Sequence, residues 1–403
     1  ILMLTAKYPA VVANPPYMTS RNFNYKLSEY LSLNYKNSWH DLMTTFVDVG
    51  FNLLKPNGLH GFITLHSWLF IDDFQNYRIE LLRKQKINSL IHLGRGVFGS
   101  DFGSCTFVLR KNDNLSKNDQ GVFLKLFDLG KISLVTNIDS LEKRFHERNR
   151  LVFQSQDDFK DIPKKTISPG LSVEVINLLN ESTIMEKGRF RRGIGTSDNN
   201  RFIRNWSEVS IFKSSLSFNK SSKWFPYNKG GEFKKWYGNQ DHFINWENDG
   251  DEIRSYRNSN GKLKSRPQNI EYNFLQNVSY TSLTISSTSA RLYPEGFIND
   301  QAGNFLVSIE ATILYIVAYI NSIVALYILE ARNPTVNILI GDVNSLPLKE
   351  IKSDKLISYS SDCISIAKND WNSRETSWDF QLSPLLNNSS SLPSSYSNWN
   401  NKV

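Results

Sequence analysis

The chain has 403 residues, 40% hydrophobic and 21% charged, enough apolar material for two or three folded domains, which excludes a disordered or fibrous polypeptide. A formal net charge of +8, a pI of about 9.2 and 13% aromatic residues suit a polyanionic partner, because cations meet phosphates and rings stack on bases. Cys105 and Cys363 are too few for a disulfide framework or a zinc site, and the six histidines lack metal-ligand spacing, so no metal and a reducing cytoplasm are expected.

In chain order, Pro9–Ala13 reads as a strand that runs into Asn14-Pro15-Pro16-Tyr17. Asp41–Leu54 has helical spacing, with Leu42, Phe46, Val49 and Leu53 on one face, and Lys55-Pro56-Asn57-Gly58 stops it. Gly61–Leu65 is a short strand, Phe74–Lys84 a helix, and Ile87–Leu93 and Cys105–Arg110 two further strands. This alternation matches half of a doubly wound α/β sheet, where ligands bind at the carboxyl ends of strands. Residues 111–185 turn polar, with a strand at Val122–Asp128 and a helix at Val173–Leu179. Residues 186–348 are dense in Arg, Lys, Trp, Tyr and Gly. Residues 309–329 approach bilayer-spanning length, but Glu310, Asn321 and Ser322 interrupt them, so they read as one buried helix. Asn387–Val403 is Ser/Asn-rich and expected to be poorly ordered. No basic segment followed by an apolar stretch reads as a signal peptide.

Asn14-Pro15-Pro16-Tyr17 carries the chemistry. A strand running straight into this motif resembles the signature of enzymes that methylate a planar, amide-like or aromatic NH2 nitrogen; such an amine, as on adenine, is a poor nucleophile, because its lone pair is delocalised into the ring. A site that helps it must accept both N–H hydrogens. The Asn14 side-chain oxygen can accept one, and the Pro15 carbonyl, aimed by the prolines, the other. Tyr17 offers a face on which a flat base stacks. The motif holds no histidine or carboxylate, and none is needed before methyl transfer. Gly94-Arg95-Gly96-Val97-Phe98-Gly99 matches a dinucleotide fingerprint but leads into strand rather than helix, so it reads as a glycine-rich turn beside the cleft, with Phe98 or Phe102 lining it. Asp342…Glu350-Ile351-Lys352 is a chance-level match to a nuclease metal site. Arg191-Arg192 and Lys234-Lys235-Trp236, set among glycines and aromatics, are candidate phosphate contacts, together with Arg201 and Arg204.

VVANPPYM, GFITLHSW and LIHLGRGVFGSDFGSCTFVLRK together resemble the catalytic half of amino-methylating DNA methyltransferases. RRGIGTSDNNRFIRNW (191–206), GGEFKKWYGN (230–239), INWENDGDEIR (244–254), RLYPEGFINDQAG (291–303) and residues 319–348 narrow the resemblance to the PglX family, the adenine-specific methyltransferases of BREX phage-defence systems. The resemblance implies site-specific N6-adenine methylation of double-stranded DNA with S-adenosylmethionine, other BREX proteins as partners, and Asn14, Pro15, Pro16 and Tyr17 as the catalytic motif. It implies the C-terminal half of a Rossmann-like class I methyltransferase domain (1–115), a connector (116–185), an α+β DNA target-recognition domain (186–348) and a tail (349–403). In that family the glycine-rich cofactor loop precedes NPPY, and here 13 residues do. The cofactor-binding residues are therefore unassigned, and the chain alone is expected not to methylate without an N-terminal methyltransferase half. The alternatives are a DNA-binding specificity module without chemistry, a fragment of a type IIG restriction-modification enzyme, or an NPPY enzyme acting on a protein glutamine or on RNA.

Overall fold

The computed structural model describes residues 5–99, 102–111, 119–128, 138–216, 219, 221–282, 287–333, 335, 337–348, 353–386 and 391–401. The chain is mixed α/β and divides into two compact units, Ile1–Glu181 with Glu330–Thr335, and Ser182–Leu329 with Val336–Val403.

Unit 1 is built on a six-stranded sheet of β1 (Tyr8–Ala13), β2 (Leu54–Leu65), β3 (Gln85–Arg95), β4 (Gly103–Lys111), β5 (Gln120–Lys125) and β6 (Leu151–Ser155), in the order β1-β2-β4-β3-β5-β6. β1 pairs parallel with β2, and β4 lies antiparallel between β2 and β3. β1, β2 and β3 therefore point the same way, and their carboxyl ends lie on one sheet edge. Their connections carry α1 (Tyr25–Asn34), α2 (Leu42–Leu53) and α3 (Gln75–Lys84), followed later in the unit by α4 (Ile138–Phe145) and α5 (Val173–Leu179).

Helix α2 departs from the face expected for it. Asp41 caps it as an acceptor for the Met43 N–H. Met43 and Val47 are buried with Thr44 and Thr45, whereas Phe46 is 41% exposed. The Thr44 and Thr45 hydroxyls donate to the Ser38 carbonyl, at 2.6 and 3.0 Å, so two residues that look polar in the sequence go inward with partners.

Unit 2 holds two sheets. β7 (Ile203–Asn205), β8 (Trp224–Asn228), β9 (His242–Asn245) and β12 (Ile298–Asn299) form one, in the order β12-β8-β9-β7. Phe202, Phe225, Tyr227, Ile244, Trp246 and Ile298 are its core. β10 (Asn277–Thr281), β11 (Ala290–Tyr293) and β13 (Gly303–Leu306) form the other, antiparallel throughout. The unit also contains α6 (Asn199–Phe202), α7 (Glu310–Ile320), α8 (Ile323–Arg332, whose last residues fall in unit 1), α9 (Asp354–Asn372) and α10 (Leu392–Asn400).

Two expectations are corrected here. Residues 309–329 are not one helix: α7 and α8 meet at 69°. The break falls at Asn321-Ser322. The Asn321 amide bonds both the N–H and the carbonyl of Ala290, and the Ser322 hydroxyl accepts the Ala325 N–H. Among the described residues, no single helix is long and apolar enough to cross a membrane. In the tail, Leu392–Asn400 is helical although its composition suggested little order. Ser391 caps it and Pro393 sits in its first turn, where a missing N–H is harmless. Glu350-Ile351-Lys352 lies outside the described residues.

Candidate active site

The motif sits where the fold directs it. β1 ends at Ala13, opposite Phe62 of β2, and the chain leaves the sheet at the carboxyl edge through Asn14-Pro15-Pro16-Tyr17. Pro15 is buried, Asn14 is exposed and Tyr17 is half-buried. The Tyr17 hydroxyl donates to Asn14 Oδ1 at 2.9 Å and lies 3.4 Å from the Ile63 carbonyl of β2. Burial, and to a lesser degree Cys105, raises the Tyr17 pKa, so this hydroxyl is a donor rather than a base at neutral pH. Its bond fixes the rotation of the Asn14 amide with the oxygen defined as acceptor. Among the described residues no donor bonds the Pro15 carbonyl, which leaves that acceptor open to a ligand.

The ring of Tyr17 meets Phe102 edge-on, with centroids 6.1 Å apart. Phe98 is 47% exposed in the Gly94–Gly99 turn. That turn runs between β3 and β4 and opens no helix, with Gly94, Gly96 and Gly99 all at positive φ. Phe102 is followed by Gly103, which is seated against His66: a Cβ there would lie 2.1 Å from the imidazole Cε1.

His66 and His92 form a buried pair that the sequence reading did not single out. The Gly94 N–H donates to His92 Nδ1 at 3.2 Å, so His92 carries its proton on Nε2 and donates to His66 Nδ1 at 2.8 Å. Burial lowers both pKa values, that of His66 to about 4 with help from Arg95, and His66 lowers His92 further. Both rings are neutral at physiological pH and act as a hydrogen-bonded wall linking the turn to Gly103. Their signal in the sequence was the histidine after each of two apolar strand segments, in TLHSW and LIHLG.

The basic candidates of unit 2 occupy four places in the chain: the 191–192 segment, α6, β7 and the 234–236 segment. Arg191 pairs with β13 through its backbone, and its guanidinium bonds the Arg189 carbonyl and stacks on Tyr272 at 4.2 Å. Arg192 is exposed. Arg201, on α6, forms a 2.7 Å ion pair with Glu252 and stacks on Tyr256. Arg204, on β7, lies over Trp224 at 5.9 Å and donates to the Ile203 carbonyl. Lys234 is half-buried. Lys235 donates to the Asn321 carbonyl at 2.9 Å, and Trp236, at φ +70°, is held between Ala290 and Leu292 of β11. Arg291, fully buried, donates to the Lys234 carbonyl and the Thr281 hydroxyl and so anchors the 234–236 segment. Among the described residues no group of three or more His, Cys, Asp or Glu could hold a metal ion.

Residues 3–98 match the family model of the Eco57I restriction-modification methylase. The adenine-specific methyltransferase PglX of Lacticaseibacillus casei (strain Zhang) is 31% identical over 98% of this chain. The chain resembles PglX from end to end. The adenine-specific methyltransferase BrxX of Escherichia coli O9:H4 (strain HS) is 32% identical over 99% of the chain. The chain covers 34% of PglX and 32% of BrxX, so it spans about a third of the length of the curated proteins it matches. Its fold is similar to that of the Type IIL restriction-modification enzyme MmeI, solved in complex with DNA, with a TM-score of 0.56 at 12% identity over 98% of this chain and 53% of the other.

Proposed function

We propose that this chain is the base-holding and DNA-reading part of a site-specific adenine-N6 DNA methyltransferase of a BREX-type phage-defence system. The observation that carries the reading is the pair of acceptors at the end of β1: Asn14 Oδ1, oriented by the Tyr17 hydroxyl, and the unbonded Pro15 carbonyl. A flipped adenine would donate one amine hydrogen to each, and Tyr17, with Phe102 at its edge, would stack on the ring. Holding both hydrogens keeps the nitrogen lone pair aimed away from the protein. No proton is removed before transfer, which agrees with the weak basicity that burial gives His66 and His92. Unit 2 would contact the duplex through Arg191, Arg192, Arg201, Arg204, Lys234, Lys235 and Trp236 and read bases in the major groove.

S-adenosylmethionine supplies the electrophilic methyl group in this reading. The described residues do not complete a site for it. The Gly94–Gly99 turn opens no helix, and β1 is the edge strand of its sheet, with Val12 83% exposed. A strand pairing on that edge would bring the second wall, so the chain by itself is inactive. The test is transfer of a labelled methyl group to duplex DNA, with and without the N-terminal part of a full-length relative. Activity only in the mixture supports the reading, activity of the chain alone overturns its incompleteness, and no activity in a folded, DNA-bound mixture overturns the assignment.

A further inference from the structure

Unit 1 contains a second cavity that methyl transfer does not use. It measures about 410 Å³, within the ~300–1,000 Å³ typical of small-molecule sites. It is lined by residues of α1, α2, α3 and the segments that follow them, among them Tyr35, Asp48, Tyr77, Glu80, Lys84 and Gln85. Lys84 and Gln85 mark the amino end of β3, and β3 runs parallel to β1 through β2 and β4, so this cavity lies at the opposite sheet edge from Asn14.

Its polar groups are unevenly satisfied. Glu80 is matched by the Lys84 ammonium and the Asn37 amide. Asp48 is different. One oxygen accepts the Ser38 hydroxyl, and among the described residues no cation forms an ion pair with the carboxylate, although the charge of Lys84, itself bound to Glu80, favours its ionised form. Tyr77 is 2% exposed, and its hydroxyl has no hydrogen-bond partner. A buried phenol left unpaired beside a half-buried carboxylate loses hydrogen bonds that a donor-rich ligand would restore. Desolvation raises the Asp48 carboxyl to about 6, with Glu80 adding to the rise and the Ser38 hydrogen bond and Lys84 offsetting only part of it, a penalty that a further cation in the cavity would relieve. The Tyr35 and Tyr77 rings supply the aromatic surface that organic cations favour.

We propose that this cavity is a binding site for a small organic ammonium compound, with Asp48 as counter-ion and Tyr77 as hydrogen-bond acceptor. The site is independent of the proposed methyl transfer. The experiment is isothermal titration of the full chain with spermidine at constant ionic strength, with melting temperature as a check of folding. Wild type is expected to bind one equivalent saturably, Asp48→Asn to weaken binding tenfold or more, and Tyr77→Phe, which keeps the ring, to weaken it about threefold, while Asp72→Asn, on the loop before α3, changes nothing. Absence of saturable binding, or equal affinity in folded Asp48→Asn and wild type, overturns the proposal.

Discussion

The two units treat polar groups in opposite ways. In unit 1 titratable groups are withdrawn from water: burial keeps the His66 and His92 rings neutral and raises the Asp48 carboxyl to about 6, so that it still carries its charge at pH 7. In unit 2 the charged candidates stand nearer the surface and are engaged by neighbours, Arg201 by Glu252 and Tyr256, Arg191 by Tyr272, and Lys235 by a helix-end carbonyl. A site that accepts hydrogen bonds from a neutral amine needs fixed acceptors in a dry wall. A surface that meets a polyanion needs charges that can be redirected at little expense, and exposed pairs worth ~0–1 kcal/mol meet that need.

The sharpest way to break this contrast is Asn14→Ala. In the completed enzyme it is expected to lower methyl transfer by ~10²–10³-fold, the scale of losing one preorganised transition-state hydrogen-bonding group, while duplex binding measured by gel shift stays within about twofold. Loss of DNA binding in parallel would mean that the motif is structural. Gly103→Ala comes next. Its Cβ cannot fit beside His66, so unit 1 should lose about 1–3 kcal/mol in urea unfolding and Phe102 should shift; an unchanged midpoint would show that the histidine wall is soft.

Asp48→Asn tests the buried charge. The folded carboxyl, at about 6, holds its proton more tightly than an unfolded one near 3.8. The contribution of Asp48 to stability is therefore greatest below pH 4 and is lost as the pH rises through 6. Removing the charge should stabilise unit 1 by on the order of 2 kcal/mol at pH 7 and by little at pH 4. A difference between the two proteins that does not change with pH would contradict it. A smaller effect is expected from Arg192→Ala, which should weaken duplex binding roughly threefold to tenfold for all sequences and lower the salt slope by about 1. Arg201→Ala, already matched by Glu252, should change binding less than twofold. If the two are equal, ion pairing does not distinguish these arginines.

What was legible in the sequence follows the same division. Asn14-Pro15-Pro16-Tyr17 is contiguous, so its geometry is set by one strand end and two prolines, and the reading of acceptors and stacking face could be made before any fold. The strands of unit 1 were visible as short apolar runs. The buried face of α2 was not, because Thr44 and Thr45 go inward only once Ser38 offers its carbonyl. The break at Asn321 depends on Ala290, 31 residues away. The His66–His92 contact joins two strands across an intervening third, which no local pattern shows. In unit 2, Arg191-Arg192 and Lys234-Lys235 looked alike as basic pairs. Their partners, Tyr272 and Asn321, come from distant segments, and these decide which side chains are held.

The open edge of β1 has a practical consequence for the isolated polypeptide. Beyond Pro9, which has no N–H to offer, Ala10–Ala13 presents a short row of backbone donors and acceptors that includes Val11 and the exposed Val12, with no charged residue and no bulge. Such an edge pairs with its own copy as readily as with a foreign strand. Preparations of the chain should then age by concentration-dependent strand exchange into β-rich aggregates. A lysine at position 12 would slow that ageing without touching the base pocket, which makes Val12→Lys the variant of choice for storage and crystallisation.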